Sequence, residues 1–263
     1  MSISPSFTEP VPITRKATKL RMVVFGDPGV GKTTFALTFP KPLVVDTEGS
    51  LEGDAVLVAA GDEWSPNGYR DLDALYNWIK GTAKKGRYET LVIDSVDALV
   101  RFLLDECVDE PGKSRPPAES RGTLQDMLVP EQRDYLAVAK GMDRFLTKLR
   151  MLPMHIVLTS HVREPDPEKG QTKRVINVQP SVEKIVDEWS SIVGEMLFLR
   201  ADGDPNDPDP KKRPKRVIIT QPGLKTRKCK SRYAALLPAI ETPTFPAMWA
   251  AIAKSEKKTG DSK

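Results

Sequence analysis

RMVVFGDPGVGKTTFALTFP, residues Arg21–Pro40, decides the fold. Met22–Phe25 reads as a short buried strand. Gly26, Gly31, Lys32 and Thr33 fill the pattern G-x-x-x-x-G-K-[ST], and Thr34–Phe39 continues as a helix stopped by Pro40. Strand, glycine-rich loop and helix in this order make a cradle for a polyphosphate. Its wall is Gly26, Asp27, Pro28, Gly29, Val30, Gly31, Lys32, Thr33 and Thr34. The glycines let backbone N–H groups curl around the phosphates, and the start of the helix adds partial positive charge. Lys32 has the reach for the β- and γ-phosphates, and the Thr33 hydroxyl suits Mg²⁺.

Two further stretches supply acids. Thr90–Leu99 reads TLVIDSVDAL, an apolar strand that ends on Asp94. A carboxylate there serves Mg²⁺, but the next residue, Ser95, offers no base to activate a water. Pro42–Val45 is another strand and runs into Asp46, Thr47, Glu48, Gly49 and Ser50. Active sites of parallel sheets lie beyond the carboxyl ends of the strands. Glu48 is therefore expected on the edge that holds the phosphate loop and Asp94, where it is the base; the alternative is a turn or helix cap.

A phosphate loop, a second strand ending in D-x-E and a third ending in I-D-S resemble the RecA-type recombinase ATPases. The resemblance spans residues 18–240. It implies an α/β fold with a RecA-like P-loop NTPase core, a mostly parallel twisted sheet flanked by helices. It implies ATP as nucleotide with Mg²⁺, Glu48 as catalytic glutamate, and Asp94 with Thr33 at the metal. A helix over Arg133–Arg150 leads into the strand Met154–Ser160, which ends on His161. The family places a γ-phosphate sensor there, usually Gln. His161 departs from that and resembles short phage-encoded RecA-like ATPases that hold little beyond the core.

The same resemblance makes VREPDPEKGQTKRVINVQP, after His161, a loop that holds single-stranded DNA at the axis of a ring or filament. Asp105–Arg133 falls where the first DNA loop belongs. Neither carries an aromatic stacking platform, and a solvated loop is the alternative. A helix over Ser181–Ile192 and strands over Gly194–Arg200 and Arg216–Gln221 precede LKTRKCKSRY. In the family, cations after the last strand reach the γ-phosphate of the neighbouring subunit. Lys225, Arg227, Lys228, Lys230 and Arg232 qualify, and a two-apart pair favours Lys230 and Arg232; a solvated or DNA-contacting basic face is the alternative. The resemblance also makes Phe7, in SFTEP of the arm, a candidate to dock on a neighbour as recombinase arms do, although the pattern around it is imperfect.

Composition sets the outer bounds. The 263 residues are 39% hydrophobic with a net charge of +4, enough for a core and only mildly basic. Apolar runs are strand-sized, so no membrane contact is expected. Cys107 and Cys229 make no ligand pattern, which fits a reduced cytoplasm, the host's if the chain is phage-encoded. The chain divides into a flexible arm (1–18), the ATPase core (19–240) and a C-terminal helix with a basic tail (241–263). The expected function is ATP-driven recombination or annealing of single-stranded DNA by a homo-oligomer, with a single-strand-binding protein as a further partner. A replication helicase-loader or helicase-like motor shares the core. A small-molecule kinase shares the loop but not the D-x-E and D-S pair, and no N-K-x-D guanine motif occurs.

Overall fold

The computed structural model describes residues 19–49, 51, 61–82, 86–109, 130–200, 203–204, 207–209, 211–221, 228–233, 236 and 239–260. The N-terminal arm with Phe7, most of Asp105–Arg133, and Lys225 and Arg227 lie outside them.

Among these residues ten strands form one mixed sheet. They are β1 (Arg21–Gly26), β2 (Pro42–Asp46), β3 (Asp62–Trp64), β4 (Thr90–Asp94), β5 (His155–Arg163), β6 (Val175–Ile176), β7 (Ile192–Leu199), β8 (Lys215–Ile219), β9 (Lys230–Ser231) and β10 (Ala239–Glu241). The spatial order is β10-β8-β7-β1-β5-β4-β2-β3, with β6 on β5 and β9 on β7. Along the path from β7 to β3 every successive pair is parallel; β8 and β10 close one side antiparallel, and the short β6 and β9 also pair antiparallel. This is the expected mostly parallel α/β P-loop sheet.

Burial explains the strands. β2 and β4 are buried at every position, as strands covered on both faces must be. Alternate residues of β1 serve two cores. Val23 and Phe25 face one with Ile93, Leu158 and Phe145; Met22 and Val24 face the other with Val92, Val157 and Ile192. Helices α2 (Tyr69–Thr82), α3 (Val96–Asp109), α4 (Gln132–Arg150) and α5 (Pro180–Trp189) cover the first core. In α4 the buried Val138, Met142, Phe145 and Leu149 recur at helical spacing, and the Glu131 N–H donates to Asp134 Oδ2 at 2.8 Å to start the helix. The short α1 (Lys32–Ala36) and the C-terminal α6 (Phe245–Gly260) cover the second core. Phe245 packs 4.6 Å from Phe39 and Trp249 5.4 Å from His155, ring centre to ring centre, so α6 is docked on the core.

Several boundaries differ from the sequence reading. α1 ends at Ala36 rather than Phe39, the last residues before Pro40 being turns. α5 ends at Trp189, because Ile192 and Val193 pair with Met22 and Val23 as strand β7. The expected loop after His161 is a hairpin: β5 runs on to Arg163 and β6 returns with Val162 opposite Ile176. α3 carries the segment expected as a loop from Asp105 as far as Asp109.

Candidate active site

Register brings the polar strand ends into one row. Gly26 of β1 lies opposite His161 of β5, and Asp46 of β2 opposite Asp94 of β4. β5 stands between β1 and β4. The phosphate loop begins at a point of close backbone approach: a methyl group on Gly26 would lie 2.2 Å from the Met196 carbonyl oxygen. Gly31 is left-handed at φ +98°, a conformation that favours glycine.

Lys32 is buried, and its Nζ donates to the carbonyls of Gly26 at 3.1 Å and Asp27 at 3.0 Å. Burial lowers its pKa below the usual lysine value, and Asp94, Asp97, Glu48 and Asp27 work in the opposite direction. The ammonium is thus held at the loop by hydrogen bonds that a phosphate oxygen can take over. Thr33 Oγ1 donates to Asp94 Oδ2 at 2.5 Å, and Thr159 Oγ1 of β5 donates to Asp94 Oδ1 at 2.5 Å. A threonine hydroxyl and a buried carboxylate side by side are hard oxygen ligands that fit Mg²⁺.

Asp46 and Glu48 divide the D-x-E motif. The buried Asp46 shapes the turn: Oδ1 accepts from the Glu48 N–H at 2.9 Å and the Gly49 N–H at 2.8 Å, and Oδ2 from the Leu51 N–H at 3.2 Å. Thr47 ties the same turn to β4 through its N–H to the Asp94 carbonyl (2.8 Å) and its hydroxyl to the Ser95 carbonyl (2.8 Å). Glu48 is left partly exposed on the row of strand ends, with Oε1 accepting from Ser95 Oγ.

His161 Nδ1 lies 2.8 Å from Asp97 Oδ2 and 3.6 Å from Glu48 Oε1, and the His161 backbone N–H donates to Asp97 Oδ1 at 3.3 Å. An ionised carboxylate only accepts, so Nδ1 carries the hydrogen, and Nε2 of a neutral ring is an acceptor. Asp97 was not singled out in the sequence. The available signal was its place in the first turn of α3, three residues after Asp94. Glu48, Asp97 and His161 also offer ligand atoms within 4.8 Å of one another, close enough for a metal ion. Their direct contacts make them a hydrogen-bonded acid–imidazole set beside the phosphate loop.

The basic candidates are distributed differently. Lys230 stands opposite Val193, near the start of β7 and away from the row of carboxyl ends. Its Nζ donates to the Asp187 carbonyl and lies 3.4 Å from Asp187 Oδ1; burial, chiefly, lowers its pKa. Arg232 donates to the Glu188 carbonyl at 2.8 Å, and Lys228 pairs with Glu183 at 2.7 Å. Neither Lys230 nor Arg232 is brought to the phosphate loop of its own chain. In the hairpin after His161, Arg163 pairs with Glu183 at 2.7 Å. Arg174 reaches Asp27 of the phosphate loop (3.1 Å), Glu164 (2.9 Å) and Glu195 (2.9 Å). Burial opposes the Arg174 charge, but Glu195, Asp27 and Glu164 outweigh it and raise its pKa.

A phosphate loop, a hydrogen-bonded threonine–aspartate pair and an acid facing the same edge define a P-loop ATPase domain. The chain belongs to a family described as AAA domain, whose model matches residues 18–233. No curated protein matches it. Among solved structures it is similar to a KaiC-like protein from the hyperthermophilic archaeon Pyrococcus horikoshii OT3, at 15% identity and a TM-score of 0.41, covering 76% of this chain and 77% of that one. No helix among the described residues is long and apolar enough to cross a membrane.

Proposed function

We propose that the chain hydrolyses ATP with Mg²⁺ and, as a homo-oligomer, acts on single-stranded DNA in recombination or strand annealing. The observation that carries the hydrolytic part is Glu48, aimed by Asp46 and Thr47 onto the row that holds Lys32, Thr33 and Asp94. Its carboxylate takes the proton of the attacking water. Lys32 exchanges the loop carbonyls for phosphate oxygens, and His161, oriented by Asp97, faces the γ-phosphate side. Thr33 and Asp94 would hold Mg²⁺, which supplies charge neutralisation on the phosphates.

The DNA reading rests on the resemblance and on the hairpin after His161. Arg163 and Arg174 are engaged in internal ion pairs, which leaves the exposed Lys173 as the hairpin cation facing outward among the described side chains. Lys230 and Arg232, as fingers for a neighbouring subunit, would exchange the Asp187 and Glu188 contacts for that neighbour's γ-phosphate.

The test is the ATPase rate with and without single-stranded DNA, alongside sizing with a non-hydrolysable ATP analogue. DNA-stimulated turnover and analogue-driven assembly are expected. DNA-independent turnover by a monomer would remove the recombination reading. Duplex unwinding would replace it with a replication motor, and acceptor-dependent ADP formation with a kinase.

A further inference from the structure

Arg216 is placed by register. β7 runs parallel to β1 with Glu195 opposite Phe25, then continues through Leu199. Four residues at about 3.3 Å each carry it roughly 13 Å past that pair, alongside the phosphate loop. β8 returns antiparallel with Arg216 opposite Phe198. Arg216 therefore stands on a two-stranded arm that flanks the loop.

Its guanidinium is held in two ways. Cζ lies 5.5 Å from the centre of the Phe198 ring, a cation–π contact that fixes the fork in place. The side chain also lies against Gly31: a methyl group there would be 3.1 Å from Arg216 Nε and 3.2 Å from Cζ. The neighbouring Lys215 pairs with Glu241 at 3.2 Å, and Arg174 holds three carboxylates. Arg216 has no ion pair among the described residues, although it is solvent-exposed and lies against the loop that cradles phosphate.

We infer that Arg216 is a nucleotide-binding residue of its own subunit, whose guanidinium takes the α- and β-phosphates of a nucleoside di- or triphosphate. The inference rests on the nucleotide reading of the phosphate loop. In such loops backbone N–H groups surround the α- and β-phosphates while the lysine reaches β and γ. Gly31 belongs to the first part, and Arg216 lies on Gly31. A planar fork with several donors suits two phosphate oxygens better than a lysine would. This contact, shared by ADP and ATP and present before the reaction, separates Arg216 from a finger that acts on the γ-phosphate in the transition state.

The test is calorimetric binding of ADP and ATP to the full chain, wild type against Arg216→Ala, Arg216→Lys and Lys32→Ala, with steady-state hydrolysis alongside. Arg216→Ala is expected to weaken ADP and ATP equally, by roughly ten- to hundredfold, the scale of one charged hydrogen bond. KM should rise with kcat unchanged, the mark of uniform binding. Arg216→Lys should recover part of the affinity, and Lys32→Ala should weaken ATP more than ADP. Arg216→Ala binding ADP within twofold of wild type overturns the inference, as does a loss confined to kcat. Wild type binding neither nucleotide would bring down the phosphate-loop reading and the inference with it. Wild type and Arg216→Ala binding alike, with Lys32→Ala defective, would leave the site and remove only Arg216. The Arg216→Lys comparison keeps the result readable if Arg216→Ala unfolds.

Discussion

Thr33 Oγ1 donates to Asp94 Oδ2 at 2.5 Å and so joins the phosphate loop to β4 across the intervening β5. Asp94→Asn preserves the shape of the side chain and removes its charge. Turnover should then need at least about tenfold more Mg²⁺ for half-maximal rate, because one charged oxygen ligand is lost. Magnesium titration of the ATPase rate reads this; an unchanged midpoint would remove Asp94 from the metal.

Glu48→Gln keeps the turn, since Asp46 holds the backbone N–H of residue 48 and not its side chain. The variant should bind ATP as wild type does and hydrolyse it at least ~10²-fold more slowly, the scale of a positioned general base. Single-turnover hydrolysis at wild-type rate would place the base elsewhere.

Asp97→Asn tests the orientation of His161. Asparagine can keep the bond to the His161 N–H only by presenting its carbonyl, and the ring then loses its charged acceptor. Expected is a loss of about ten- to a hundredfold in kcat with little change in KM for ATP, the result of a misplaced group. In His161→Ala the same Asp97 change should have no further effect. Additive losses would show that the two residues act separately.

His155 predicts acid sensitivity of the fold. It is buried among Phe39, Phe245 and Trp249, and its Nδ1 accepts from the Leu20 N–H at 3.1 Å. Burial, with Lys19 adding to it, lowers its pKa from 6.5 to about 4. Between those values the unfolded chain binds the proton and the folded chain does not. Stability therefore falls as pH drops from 6.5 to about 4, by up to about 3 kcal/mol. His155→Leu should flatten that part of the profile in urea titrations while losing the Leu20 bond at every pH. An unaltered slope would assign the acid response to other groups.

Mixing tests the subunit interface. The double variant Lys230→Ala, Arg232→Ala and the variant Glu48→Gln should each be impaired, the former by about 10³–10⁵ if the cations serve a neighbour's γ-phosphate. Co-assembled, they should regain part of the activity, since some interfaces then combine an intact Glu48 with an intact finger. No recovery in mixtures shown to co-assemble would remove the finger role and place these cations in cis, where they contact Asp187 and Glu188, or on DNA.

The site was legible in proportion to how local its chemistry is. The phosphate loop, Asp94 and Glu48 occupy short patterns in which residue type and spacing carry the reason, and the sheet sets them on one edge. The apolar run before His161 marks only a strand end; its role came from the family resemblance. Asp97 was hidden because a carboxylate in the first turn of a helix looks like an ordinary start signal until the fold sets His161 against it. Arg216 was hidden more deeply, because its place depends on pairing between β7 and β8 across a long connection. The hairpin after His161 looks like a loop in the sequence, since only two apolar residues, Val175 and Ile176, return it to β5.

β5 also acts as a shim. With one strand inserted between β1 and β4, the phosphate loop and Asp94 stand two strand spacings apart, about 9.5 Å, and side chains must close that width. Thr33 closes it from one side, and Thr159 braces Asp94 from the shim itself. The gauge of the site is thus the thickness of a single strand, and that strand runs unbroken into the hairpin beyond His161.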